Sequence, residues 1–154
     1  MVFLLDDGGV FDAPLEVVWR FVGSGSHHGE AHQHRRMRRR RLPGNAGRYS
    51  WEQEFEGRTE RFGMRWQSYY PVGIAYDVVE GPFEGSRFFL YYRPRGRRTA
   101  VTVAGEFVSP TLRGRSLRSA VAKFFAVEFA QDRAAIARDL RAVTASTRRP
   151  RSSR

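Results

Sequence analysis

GRSLRSAVAKFFAVEFAQDRAAIARDLRAV, residues 114–143, reads as one long helix. At 100° per residue Leu117, Val121, Phe124, Phe125, Phe129, Ile136, Leu140 and Val143 fall on one arc, the 3.6-residue period of a helix with a single buried face. Two acids break the arc. Glu128 and Asp132 stand four residues apart, one stacked above the other, and Asp132 projects from the middle of the apolar stripe. A helix this long needs a broad apolar surface to lie on, and the residues before it supply one.

Working back from the helix, the period changes from 3.6 to two. Tyr49, Trp51, Gln53 and Phe55 alternate with Arg48, Ser50, Glu52, Glu54 and Glu56, which predicts a half-buried strand. After a tight turn at Gly57-Arg58, the residues Phe62, Met64, Trp66, Ser68 and Tyr70 repeat the alternation. Residues 74–80, 86–93 and 99–108 continue it as three more strands, joined by Gly81-Pro82-Phe83-Glu84-Gly85 and Pro94-Arg95-Gly96-Arg97-Arg98. Short connections favour antiparallel neighbours. Residues 35–42 precede them as a strand of poor apolar content, closed by Pro43-Gly44-Asn45-Ala46-Gly47.

The chain opens with a strand over residues 2–11, with Asp6-Asp7-Gly8-Gly9 as a turn or bulge within it. A helix follows: Asp12 or Ala13 at the cap, Pro14 at the first helical position, and Leu15, Val18, Trp19 and Val22 on its apolar face. Ser24 or Ser26 then caps a second short helix through residues 27–32, weakened by Gly29. The predicted class is α+β: strand, two short helices, about six further antiparallel strands and one long C-terminal helix. A bent sheet with one apolar face, closed by such a helix, buries both periodic faces and leaves room for a cavity between them. Residues 1–143 read as one domain and 144–154, rich in Ser, Thr, Arg and Pro, as a basic disordered tail.

Composition narrows the function classes. The 154 residues are 41% hydrophobic and 14% aromatic, enough for one domain with a real core. No apolar run approaches the roughly 18 residues of a membrane span, and the expectation is a soluble, cytoplasmic protein. With no cysteine, disulfides, thiolate metal sites and a cysteine nucleophile are excluded. The net charge of +11 is concentrated in Arg35, Arg36, Arg38, Arg39, Arg40 and Arg41 and in the tail arginines Arg148, Arg149, Arg151 and Arg154, leaving the body nearly neutral. A basic edge strand that discourages sheet-to-sheet aggregation is preferred over nucleic-acid or acidic-lipid contact, and specific single-strand recognition is disfavoured because no base-stacking aromatics interleave the run.

The order of elements resembles the helix-grip superfamily of START lipid-transfer domains, birch-pollen-allergen-like proteins and polyketide cyclase/dehydrase-like proteins. Val10-Phe11-Asp12-Ala13-Pro14-Leu15-Glu16-Val17-Val18-Trp19 is similar to that family's first-strand-to-first-helix signature, and the Gly81-Pro82-Phe83 turn and the helix from Phe124-Phe125 to Leu140 fall where such proteins have theirs. The resemblance covers residues 2–143. It implies a curved sheet of about six to seven strands wrapped round the long helix, a hydrophobic-ligand pocket beneath that helix and, in some members, cyclase, aromatase or hydrolase-like chemistry.

The candidate ligand-binding residues are Trp51, Phe55, Met64, Trp66, Tyr76, Phe88, Tyr92, Phe107 and Phe125, with His28 and His32. Tyr49 and Phe62 belong to the same inward aromatic set, and the alternative for all of them is plain core filling. Asp132 and Glu128 are the candidate catalytic residues, as a polar anchor or as an acid or base with a raised pKa. The competing reading is a structural ion pair with an arginine such as Arg20. His28 and His32 at i and i+4 suit a metal in principle, with Glu128 or Asp132 completing the set, but Gly29 damages the helix. Solvated histidines are therefore preferred, with a hydrogen-bonded partner for the helix acids as the alternative, and no metal or cofactor is assigned. Gly23-Ser24-Gly25-Ser26-His27 lacks the strand-to-helix elbow of a nucleophilic serine. The functional expectation is a hydrophobic or aromatic small molecule, lipid or polyketide-like, held between sheet and helix.

Overall fold

Strand β1 (Val2–Phe11) is followed by two short helices, α1 (Leu15–Gly23) and α2 (His27–His32), before the chain enters its main sheet. That sheet continues through β2 (Arg35–Leu42), β3 (Ala46–Phe55), β4 (Arg58–Tyr69), β5 (Gly73–Glu80), β6 (Arg87–Arg95) and β7 (Arg98–Phe107), and the chain closes with α3 (Gly114–Thr147). The structure, a computed structural model, describes residues 1–24, 27–32 and 34–147. The side chains of 4–8, 28, 30 and 142–147 fall outside the description. Ser26, Val143 as a face residue and the tail arginines thus lie outside the described residues.

All seven strands form one antiparallel sheet in the order β1-β7-β6-β5-β4-β3-β2. Every neighbour except the β1–β7 pair is joined by a hairpin, so the sheet is a meander with β1 returned to pair with β7. The register of β1 shifts between Gly8 and Gly9, the bulge that its glycine pair predicts. The β3–β4 turn is Glu56-Gly57, one residue earlier than expected. Phe55 pairs with Arg58 and both turn residues have positive φ (48° and 77°), the two-residue form whose twist matches the flanking strands. At Gly47 the ring of Trp66 lies where a Cβ would stand, at 2.6 Å, so only glycine lets that indole fold flat over β3.

The apolar stripe of α3 packs as its period requires. Leu117, Ala120, Val121, Phe124, Phe125, Phe129, Ala135 and Ile136 are buried, and Leu140 packs at the margin of the core. On the sheet side they meet Phe62, Phe88 and Phe107, and the phenylalanines interlock: Phe62 stacks on Phe124 (5.8 Å), while Phe125 stands edge-on to Phe88 and Phe107 (5.1 and 5.6 Å). The helix runs on to Thr147, past the boundary at Val143.

Helix α1 begins differently from expectation. Pro14 occupies the cap position with extended backbone (ψ 156°), no side chain caps the helix, and the Pro14 carbonyl accepts from Val17 and Val18 instead. Ser24 links the short helices: its hydroxyl donates to the Phe21 carbonyl (2.7 Å) and accepts from the His27 amide (3.2 Å). Tyr70, expected on the inward face of β4, is 63% exposed, because the strand ends at Tyr69 and the chain turns there. Its ring rests edge-on against Trp19 at 5.1 Å. The arginine strand β2 is an edge strand with its arginines outside, as the basic-edge reading requires; Arg36 pairs with Glu52 at 3.2 Å.

Candidate functional site

The two acids of α3 meet the histidines, not an arginine. Asp132, 8% exposed, accepts through Oδ1 from His27 Nε2 at 2.8 Å and from His32 Nε2 at 3.0 Å, and the two Nε2 atoms are themselves 3.0 Å apart. One helical turn earlier, Glu128 Oε2 lies 3.1 Å from His32 Nδ1 and 3.9 Å from His34 Nε2, while Gln131 Oε1 accepts from the same His32 Nδ1 at 2.8 Å. His27, His32 and His34 are 5, 8 and 8% exposed. They enter from the first and last residues of α2 and from the approach to β2, and α2 lies against α3 where Asp132 interrupts the stripe.

The rings around the cluster hold its orientation. His34 stacks between His32 (5.0 Å, 22°) and Trp51 (4.6 Å, 24°), and Phe21 stands edge-on to His27 at 4.8 Å. Burial alone would lower the His32 pKa, but the Asp132 hydrogen bond and the Glu128 and Asp132 charges raise it to about 9. For Asp132, burial works toward the neutral acid, and the His27 and His32 hydrogen bonds prevail, holding it well below the usual carboxylate range. Desolvation lowers His34. Burial pushes the Tyr49, Tyr76 and Tyr92 hydroxyls well up, so all three stay protonated at neutral pH.

The cluster forms the inner wall of a small chamber, about 60 Å³, lined otherwise by aromatic and apolar groups including Tyr49, Trp51, Tyr76, Phe88, Tyr92 and Phe125. Outside it lies a larger cavity of about 590 Å³, walled by Trp19, Trp66, Ile74 and Tyr70 and rimmed by Arg39, Arg40, Arg41 and Arg48. The two share Val22, Tyr49 and Tyr76 as walls. These shared walls place the arginine-lined cavity beside the chamber that holds the charged cluster.

No family model matches the sequence, and no curated protein does. Solved structures do match. The ZhuI aromatase/cyclase from Streptomyces sp. R1128 superposes with a TM-score of 0.75 at 14% identity, covering 92% of this chain and 96% of that one. The di-domain ARO/CYC StfQ from the steffimycin biosynthetic pathway superposes at 0.70 and 12% identity over 86% of this chain and 50% of its own. Ara h 8.0201 does so at 0.68 and 9% over 88% and 97%. The chain adopts the helix-grip fold. At these identities the likeness carries the architecture, a curved sheet gripping one long helix, and leaves the chemistry to this chain's own residues.

Within the helix grip, the sequence-based candidates separate into groups. Asp132, Glu128, His32, Trp51, Met64, Tyr76, Phe88, Tyr92 and Phe125 line the inner chamber, and Trp66 lines the outer cavity. Phe107, 1% exposed, touches neither; it is core, packed among Phe83, Phe88 and Phe125. Phe55 faces a further groove of about 230 Å³ with Lys123 and Val127, which shares Phe124 and Glu128 with the inner chamber. The His28 side chain lies outside the described residues, and the acids take His27 as the partner of His32 instead.

The solvated-histidine reading is overturned, because α2 folds onto α3 and His27, His32 and His34 are buried beside Asp132 and Glu128. The raised carboxyl pKa fails for Asp132 for the same reason: two hydrogen-bond donors outweigh its burial. His27 and His34 were missed as site residues. An i, i+4 rule does not register an i, i+5 pair at the two ends of a six-residue helix, and the available signal was the clustering of all four histidines within eight residues.

Proposed function

We propose that this helix-grip chain binds a hydrophobic, aromatic small molecule, lipid or polyketide-like, between the sheet and α3. The observation that carries the reading is the outer cavity of about 590 Å³, within the range that drug-sized ligands occupy, with an indole, tyrosine and isoleucine interior and four arginines at its rim. Such a lining favours an apolar ring system with an acidic or oxygen-rich edge turned toward the arginines. The inner chamber is too small for a ring system. It receives at most a substituent, which Tyr49, Tyr76 and the cluster can orient by hydrogen bonds. Neighbours described as aromatase/cyclases share the fold and support a ligand of this class.

An anionic naphthalene fluorophore titrated into the folded protein tests it. Near-stoichiometric, displaceable binding that Ile74→Trp blocks is expected. Absence of binding to the native protein, or binding indifferent to that cavity-filling change, overturns it.

A second reading, an enzyme on the same scaffold, is favoured by the cluster itself. An ionised Asp132 behind two imidazoles is an arrangement for moving a proton at a ligand substituent, with a histidine as the exchanging group and Asp132 orienting it. Under this reading Asp132→Asn abolishes turnover of an aromatisable polyketone while fluorophore binding persists. Equal turnover by the variant refutes it.

A further inference from the structure

Three possible ligand atoms converge at the cluster. His27 Nε2, His32 Nε2 and Asp132 Oδ1 form a triangle with edges of 2.8, 3.0 and 3.0 Å. A ring N–H can be directed along only one of these edges. If both nitrogens donate to the carboxylate, two N–H groups lie side by side at 3.0 Å; if one donates to the other, an edge to the carboxylate loses its proton. With both Nε2 atoms unprotonated, the same three atoms offer lone pairs about 3 Å apart, a different arrangement. An ion about 2.1 Å from its ligands places adjacent donors about 3.0 Å apart when it is octahedral and about 3.4 Å apart when it is tetrahedral. The observed edges fit three facial positions of an octahedron.

We propose that His27, His32 and Asp132 hold a divalent first-row transition-metal ion that favours six-coordination, with Fe²⁺, Co²⁺ and Ni²⁺ as the fitting class. Two imidazoles and one carboxylate, with no thiolate, suit such ions. The surroundings have the form of an outer ligand shell. His32 Nδ1 is engaged by Gln131 Oε1 and Glu128 Oε2, which fixes the tautomer that leaves Nε2 for the ion, and the Trp51–His34–His32 stack fixes the ring plane. The remaining coordination positions face the inner chamber, whose volume of about 60 Å³ accommodates a few waters or the oxygen substituents of a bound molecule. A site with three protein ligands and an open side is built for exchange of ligands, not for holding the fold closed. The inference is independent of the small-molecule reading, since the ion is titrated into ligand-free protein.

The test uses the full chain, stripped with a chelator and titrated with Co²⁺ by calorimetry and visible absorption. One equivalent per chain, with the weak absorption of a six-coordinate ion, is expected. His27→Ala, His32→Ala and Asp132→Asn should each weaken binding on the order of 100-fold or more, and Gln131→Leu on the order of 10-fold. In the wild type, Co²⁺ should shift or broaden the ring resonances of His27 and His32, a readout that needs no variant to fold. No stoichiometric binding, intense tetrahedral bands, affinity that survives loss of His27 and Asp132, or loss caused by His28→Ala and not by His27→Ala would overturn the proposal.

Discussion

The two halves of helix α3 are made from the same apolar stripe and end in opposite chemistry. Toward its N-terminal half Phe124 and Phe125 enter a close-packed group of rings with Phe62, Phe83, Phe88 and Phe107. About two turns later, on the same face, Asp132 meets His27 and His32. At the first end burial is favourable for each group separately, through apolar area removed from water. At the second, no member tolerates burial alone, and the arrangement persists because every member is present. A helix face thus carries a core and a site side by side, and the difference lies in whether its partners can be exchanged independently.

Four changes probe that contrast. Phe62→Ala removes a fully buried ring stacked against Trp51 and Phe124, and should cost about 3–5 kcal/mol in denaturant unfolding. If it costs under about 1 kcal/mol, the aromatic end is not the packed half. Asp132→Asn keeps the shape of the site but removes the charge between two imidazoles. A loss of about 1–3 kcal/mol is expected in chelator-treated protein, and it should shrink when combined with His32→Ala, as a double-mutant cycle would show.

The third change is pH, again in metal-free protein. The folded-state pKa of His32 is raised from 6.5 to about 9, so its contribution is complete below pH 6.5 and is lost as pH rises through 9. The Asp132 carboxyl is lowered, so its contribution is present above the ordinary carboxylate value of 3.8 and is lost as pH falls below it. Stability measured against pH should therefore lie highest between those limits and decline on both sides. Phe62→Ala should lower that curve without changing its shape, whereas His32→Ala should remove the alkaline decline. Last, Arg39→Glu with Arg41→Glu should leave unfolding within about 0.5 kcal/mol of wild type, since both side chains are exposed, while weakening an anionic fluorophore several-fold. Unchanged fluorophore affinity would remove the arginine rim from the entrance.

Much of this architecture is legible in the chain. The bounds of β2 at Arg35–Leu42 and the start of α3 at Gly114 coincide with the expected ones, because the punctuating residues, Pro43-Gly44-Asn45 and Gly114, are local and strong. Asp132 is conspicuous in sequence for the reason that makes it matter in space: a carboxylate on a buried stripe demands partners. The partners were less legible. His28 and His32 satisfy the helical i, i+4 rule, yet α2 is one and a half turns long, and what places His27 beside His32 is the docking of both its ends against α3, not a helical period. Phe55 and Phe107 alternate as ligand-facing residues would, but alternation reports which face of the sheet a side chain takes and not whether a neighbour has already filled the space.

The sequence alone determined the elements, their order and the inward faces, since each follows from backbone propensity and a period of two or 3.6 within a dozen residues. No local property brings His27 to Asp132, 105 residues away, or sets three donor atoms about 3 Å apart. Only the closing of the sheet round α3 decided that, because the distance between groups far apart in the chain is fixed by packing and not by spacing.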